Sequence, residues 1–82
     1  MMEKNKKLID VRTPEEFKEA HAPGSINIPL QEIPQRIDEF KKIEQPFILC
    51  CAGGTRSGKA TDYLSAQGMA CENGGSWKNF TT

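Results

Sequence analysis

Several things the sequence lacks bound what it can be. It has no net charge: 11 Lys and Arg stand against 11 Asp and Glu. A polyanion partner needs cations concentrated on one face, and no such run occurs, so nucleic acid is excluded as a partner class. Long apolar runs are missing too. None approaches the roughly 20 residues of a membrane span, which argues against a membrane partner. Histidine is reduced to His21, and no Cys-x-x-Cys spacing occurs, so neither a metal site nor a metal cofactor is expected. The basic opening Met1–Lys7 is followed by only Leu8 and Ile9 as apolar residues, whereas a secretory leader needs about 7–15. The expected compartment is therefore the cytoplasm, or the periplasm if a leader has been removed. The 3 cysteines are odd in number and two are neighbours, Cys50 and Cys51. That pattern builds no disulfide framework and suits a reducing compartment with a catalytic thiol.

What is present is the composition of an ordinary soluble globule, 37% hydrophobic and 27% charged, in 82 residues. This is enough for one small domain. Chains of this size bury only about 60–65% of their unfolded surface, so a modest stability margin is expected.

One stretch organises the rest: Phe47-Ile48-Leu49-Cys50-Cys51-Ala52-Gly53-Gly54-Thr55-Arg56-Ser57. It reads as a buried strand over Phe47–Cys50, a cysteine, a glycine-bearing turn, and a helix from Ser57 to Gln67. A cysteine at such a junction faces successive backbone N–H groups and the positive end of a helix dipole. Both favour the thiolate, which is the nucleophile. Gly53 and Gly54 can take positive φ and let the turn curl inward. Arg56 adds a planar fork of donors suited to an oxyanion. The stretch thus describes an anion cradle, lined by Ala52, Gly53, Gly54, Thr55, Arg56 and Ser57, with Cys51 at its base.

Along the rest of the chain, Leu8–Val11 reads as a buried strand that leaves Asp10 and Arg12 at its carboxyl end. Thr13-Pro14-Glu15-Glu16 is a capping box with proline at the first helical position. Its helix should run from Pro14 to about Ala20 and bury Phe17. Ile26–Ile28 is a second strand. Leu30, Ile33, Ile37 and Phe40 fall at helical spacing, and Pro34 divides them into a turn over Leu30–Ile33 and a helix over Pro34–Lys42. In the helix after the cradle, Ala60, Tyr63, Leu64 and Gln67 make the inner face, with Gly68 as a left-handed cap. Met69–Glu72 is a last strand running into Asn73-Gly74-Gly75, and Trp77 and Phe80 pack back. Strands alternating with helices give an α/β fold with a parallel sheet, whose ligands lie beyond the carboxyl strand ends. Asp10, Arg12, the Cys51 turn and Gly74-Gly75 all fall there.

At Cys51-x-x-Gly54-x-Arg56-Ser57 with Ala60, the chain resembles the active-site loop of single-domain rhodaneses, the sulfurtransferases. The resemblance extends back through Leu8–Arg12 and His21–Pro29 and forward to Gly74-Gly75, nearly the whole chain. It implies one rhodanese-like domain over residues 1–82, a small three-layer α/β fold with a mostly parallel four- to five-stranded sheet flanked by helices. Relative to the usual domain, both ends are short: the elements before the Asp-Val-Arg strand are missing or reduced to residues 1–7. It also implies a reaction. The Cys51 thiolate takes the outer sulfur of thiosulfate or of a persulfide donor, becomes a persulfide, and passes that sulfur to cyanide or a thiol, including a protein thiol. Asp10 and Arg12 are implied as structural support for the site, and His21 as a residue that holds the fold.

Other readings stand beside these. Cys51 could be a buried strand-end cysteine, and Cys50, on the opposite face by alternation, reads as core. Cys71 reads as core, with a resolving thiol as the second reading. Arg56 either meets the ligand or braces the turn. Ser57 is first a helix N-cap and second a donor to the sulfur. Trp77 either caps the core or lines the pocket. The competing reaction is that of cysteine phosphatases or arsenate reductases, which use Cys-x5-Arg. Five residues separate Cys50 from Arg56, but only four separate Cys51 from it. A third class is a rhodanese module that carries sulfur or binds a partner with little turnover.

Overall fold

In the computed structural model, residues 6–81 are described. The reading of residues 1–5 as part of a vestigial leading element lies outside them. Strand β3 (Phe47–Cys51) is an apolar run of the kind a parallel sheet buries on both faces, and it is central. On one side it pairs with β1 (Leu8–Asp10), Ile9 opposite Leu49 and Asp10 opposite Cys50. On the other it pairs with β4 (Cys71–Ser76). Strand β2 (Ile26–Asn27) lies outside β1, giving the order β2-β1-β3-β4 with every pair parallel. All carboxyl ends therefore meet at one edge.

Helix α1 (Pro14–Glu19) opens on the capping box anticipated from Thr13 and Glu16. It buries no residue, contrary to the expectation for Phe17. Its sequence offers a single large apolar side chain among charged neighbours and so has no apolar stripe to dock. Phe17 instead stacks on His21, ring centroids 3.7 Å apart. Pro34 cuts deeper than expected. The segment forms 3-10 turns at Leu30–Glu32 and Pro34–Arg36, and true α-helix (α2) only at Ile37–Lys41. Its apolar stripe still reaches the core, with Ile33 and Phe40 buried and Leu30, Ile37 and Ile43 packed against them.

Helix α3 (Thr55–Ala66) begins two residues earlier than the sequence suggested, because Gly54 takes φ +101° and ends the turn. Ala60 and Leu64 are buried, while Tyr63, expected inside, is exposed. The last strand starts at Cys71, not Met69, and runs through Asn73-Gly74-Gly75. Between Leu49–Asn73 and Cys51–Ser76 the register shifts, β4 carrying the extra residue with Gly75 at φ +78°. Gly74 is required there, since a Cβ would lie 2.6 Å from Ile48 Cγ2 and 2.7 Å from Phe80 Cζ.

Strand alternation divides the sheet into two faces. Ile9, Phe47, Leu49 and Cys51 join Ala60 and Leu64 of α3 in the core. On the other face Ile48 and Phe80 of the closing 3-10 turn, Trp77–Phe80, both crowd against Gly74. Helices and turns thus flank a four-stranded parallel sheet. No helix among the described residues is long and apolar enough to cross a membrane.

Candidate active site

Cys51 is the last residue of β3 and is 1% exposed. It packs on the core, as an inert strand-end cysteine would, yet the turn's amides point at its sulfur. The Gly54 N–H donates to Sγ at 2.9 Å, the Ser57 N–H at 3.4 Å and the Ser57 hydroxyl at 3.3 Å. The sulfur also lies beneath the N-terminus of the 12-residue helix α3, where a fractional positive charge favours an anion. Burial pushes the thiol up, but the hydrogen bonds from Ser57 and from the amides of Gly54 and Gly53 outweigh it, and the net shift is downward. Ala52, Gly53 and Thr55 are exposed and form the outer rim.

Ser57 reverses the order of its two readings. It is the third residue of α3 rather than its N-cap, is fully buried, and turns its hydroxyl to the sulfur. The hydroxyl also reaches Asn73 Oδ1 at 2.6 Å, so one proton serves two acceptors. Asn73 accepts the Gly75 N–H as well and donates Nδ2–H to the Gly54 carbonyl at 3.1 Å, tying the bulge of β4 to the turn.

Asp10 and Arg12, expected as structural support for the site, form a buried ion pair. Arg12 Nη2 and Nε reach the carboxylate at 2.7 and 3.0 Å, and the Arg12 N–H caps it at 3.0 Å. Asp10 is 0% exposed and Arg12 5%. Arg12 also donates to the Ala20 carbonyl and lies 4.7 Å from the centroid of Trp77. Trp77 thus braces Arg12, which neither reading had anticipated. His21 holds the Phe17 carbonyl at 2.7 Å through Nδ1.

Arg56 braces the turn against helix α1 through a carboxylate rather than through backbone carbonyls. Its guanidinium forks onto Glu16, Nη1 to Oε1 at 2.8 Å and Nη2 to Oε2 at 3.1 Å. Hydrogen bonds from Arg56 and from the Thr13 backbone hold that carboxyl down to about 2. The sequence marked Glu16 only as a capping residue and Asn73 only as the residue at which the last strand ends. No spacing rule pairs residues 40 apart, as Glu16 and Arg56 are, or 16 apart, as Ser57 and Asn73 are, so neither contact had a signal in the sequence.

The remaining cysteines stay outside this group. Cys50 is fully buried on the opposite face beside Asp10. Burial, with Asp10's negative charge adding to it, pushes its thiol up to about 12. Cys71 pairs with Phe47 at the amino end of the strands. At about 3.3 Å per residue it lies roughly 13 Å along the sheet from Cys51, which rules out a resolving thiol without a large rearrangement.

A parallel α/β sheet with an amide-ringed cysteine at its carboxyl edge defines a class of proteins built to favour a thiolate there. Residues 1–81 match the Rhodanese-like domain model, and the chain belongs to that family. The thiosulfate sulfurtransferase PspE of Escherichia coli is 38% identical over 73 residues, covering 87% of this chain and 70% of that protein. YqhL of Bacillus subtilis is 43% identical over 61 residues, 74% of this chain but only 48% of its own length. Among solved structures, a rhodanese with anions from E. coli superposes with TM-score 0.79 at 37% identity, covering 89% of this chain and 88% of that one. A rhodanese-like domain protein from Staphylococcus aureus gives TM-score 0.76 at 31% identity, covering 100% and 79%.

Proposed function

We propose that this protein is a sulfurtransferase that carries sulfane sulfur on Cys51. The observation that carries the reading is the short Gly54 N–H bond to Cys51 Sγ, 2.9 Å, backed by two donors from Ser57. The Cys51 thiolate attacks the outer sulfur of thiosulfate, a new S–S bond forms, and sulfite leaves with the electron pair of the broken bond. With a persulfide donor the leaving group is a thiolate. A thiol or cyanide then attacks the outer sulfur and regenerates the Cys51 thiolate. No separate general base is needed, because the hydrogen bonds to the sulfur lower the thiol below its ordinary value and favour the nucleophilic thiolate. The amides of residues 52–57 that turn inward hold both the thiolate and the persulfide anion, and Asp10 with Arg12 fixes the neighbouring strand end. A relative named as a thiosulfate sulfurtransferase supports this donor class.

The phosphatase or arsenate-reductase alternative would require Cys50 as nucleophile. A thiol near 12, fully buried on the far face, speaks against it. Intact-mass measurement after thiosulfate or glutathione persulfide treatment tests the proposal. A reducible gain of ~32 Da that maps to Cys51 and disappears in Cys51→Ser is expected. Loading without catalytic thiocyanate or persulfide turnover would favour a sulfur-carrier module, and no loading from either donor would contradict both.

A further inference from the structure

Both arginines at the carboxyl edge arrive with a carboxylate of their own. Arg12 is spent on Asp10. Arg56 is spent on Glu16, whose two oxygens accept the whole guanidinium fork. Glu16 is held from the other side too, by the Thr13 N–H at 2.9 Å and the Thr13 hydroxyl at 3.2 Å. These four hydrogen bonds fix the carboxylate where helix α1 begins. A donor anion that wanted Arg56 would have to break two charge-assisted bonds and leave an ionised carboxylate unpaired. What the turn offers an anion without such a cost is peptide N–H groups and the end of α3, a positive charge of about one half. The Cys51 thiolate already draws on that charge.

We propose that Glu16 is a specificity-determining residue: it screens Arg56, and the site therefore favours a persulfide carrying at most one negative charge over dianionic thiosulfate. This rests on the sulfur-transfer reading above and narrows its donor. The step balances without an outside oxidant. Cys51–S⁻ attacks the outer sulfur of R–S–SH, the Cys51–S bond forms, the donor S–S bond breaks, and R–S⁻ leaves with the electron pair. The proton stays on the transferred sulfur. Thiosulfate can follow the same path, but its two charges approach a thiolate with the nearest guanidinium already neutralised.

Glu16→Gln separates charge from structure, because glutamine at this helix position also closes a capping box. The ratio of kcat/KM for thiosulfate to that for cysteine persulfide, whose net charge is at most −1, should rise about tenfold in Glu16→Gln, as expected for one unscreened charge a few ångströms from the donor. The gain should shrink as salt shortens the screening length, and adding Arg56→Gln should remove it. A probe independent of sulfur transfer is the rate of Cys51 alkylation by anionic iodoacetate relative to neutral iodoacetamide. That ratio should rise several-fold in Glu16→Gln and fall back in the double variant. An unchanged or lowered iodoacetate ratio overturns the screening, whichever donors the enzyme uses. A thiosulfate gain that survives removal of Arg56 overturns it as well. Failure of both donors to load Cys51, with the alkylation ratio still rising, would sink the sulfur-transfer reading and the donor assignment while leaving the charge relation intact.

Discussion

Cys50 and Cys51 are adjacent in one strand and equally buried, 0% and 1% exposed, yet their thiols move in opposite directions. Cys50 faces Asp10 on the far side of the sheet, and burial pushes it up to about 12. Cys51 meets the same penalty, but three donors from Gly54 and Ser57 converge on its sulfur and bring it below an ordinary thiol. Burial alone therefore does not decide whether a cysteine is inert. What decides it is the number of N–H and O–H groups aimed at the sulfur, and strand alternation assigns those to one neighbour only.

The largest expected effect on this contrast is on chemistry. Cys51→Ser should abolish persulfide loading and turnover, read by intact mass and thiocyanate formation, while Cys50→Ala should still load at Cys51. Loss of loading in both variants would mean that the two faces are not independent.

Next comes the structural side of the edge. Asp10→Asn leaves Arg12, only 5% exposed, without its counter-charge. Removing one partner of a buried pair costs about 3–5 kcal/mol. The whole domain should have roughly 4–12 kcal/mol to lose at its 82 residues. Urea unfolding should show a markedly lower midpoint. An unshifted midpoint would mean that the Cys50 side of the strand carries no more of the fold than the Cys51 side.

A smaller change sharpens the account of the donors. Ser57→Ala removes one hydroxyl from the sulfur but leaves the two amides. A hydrogen bond to a charged acceptor contributes about 1.5 kcal/mol, so alkylation of Cys51 at pH 7 should slow about tenfold, its pH midpoint moving upward. No change would show that the hydroxyl proton stays with Asn73 Oδ1, 2.6 Å away.

The smallest effect concerns alkaline stability. An unfolded thiol titrates near 8.5, while folded Cys50 holds its proton to about 12. Between those values the unfolded state binds fewer protons, so this residue makes stability fall as pH rises, by at most about 1.4 kcal/mol per unit. Cys50→Ala should flatten the decline in urea midpoint between pH 8 and 10, whatever its effect at pH 7. An equal decline in both proteins would place the Cys50 thiol at an ordinary value.

The sequence made this contrast legible because its signals are local. An apolar run followed by Cys-Ala-Gly-Gly marks a strand entering a tight turn, and alternation alone sends Cys50 away from it. The placement of Asp10 and Arg12 at the site was legible for the same reason, both leaving the carboxyl end of one short strand. Ser57 was misread because a hydroxyl at the third helical position looks the same in sequence as one at the N-cap. What separates the two is the positive φ of Gly54, which starts the helix early. Glu16 was hidden by its own motif: the capping box gave a complete local account of a side chain that also reaches Arg56 forty residues on. Asn73 was hidden because the last strand was read as ending at Glu72, whereas β4 runs on through its bulge to Ser76. Phe17 shows the opposite error, an apolar residue assigned to the core where a six-residue charged helix has no face to bury.

Site-resolved alkylation of the two neighbouring cysteines as a function of pH, followed by peptide mapping, tests the central claim most directly. Cys51 should react with a midpoint below that of an ordinary thiol, about 8.5, while Cys50 in the same molecules stays unmodified through pH 10. A Cys51 midpoint at or above that ordinary value, or modification of Cys50 first, would contradict the account.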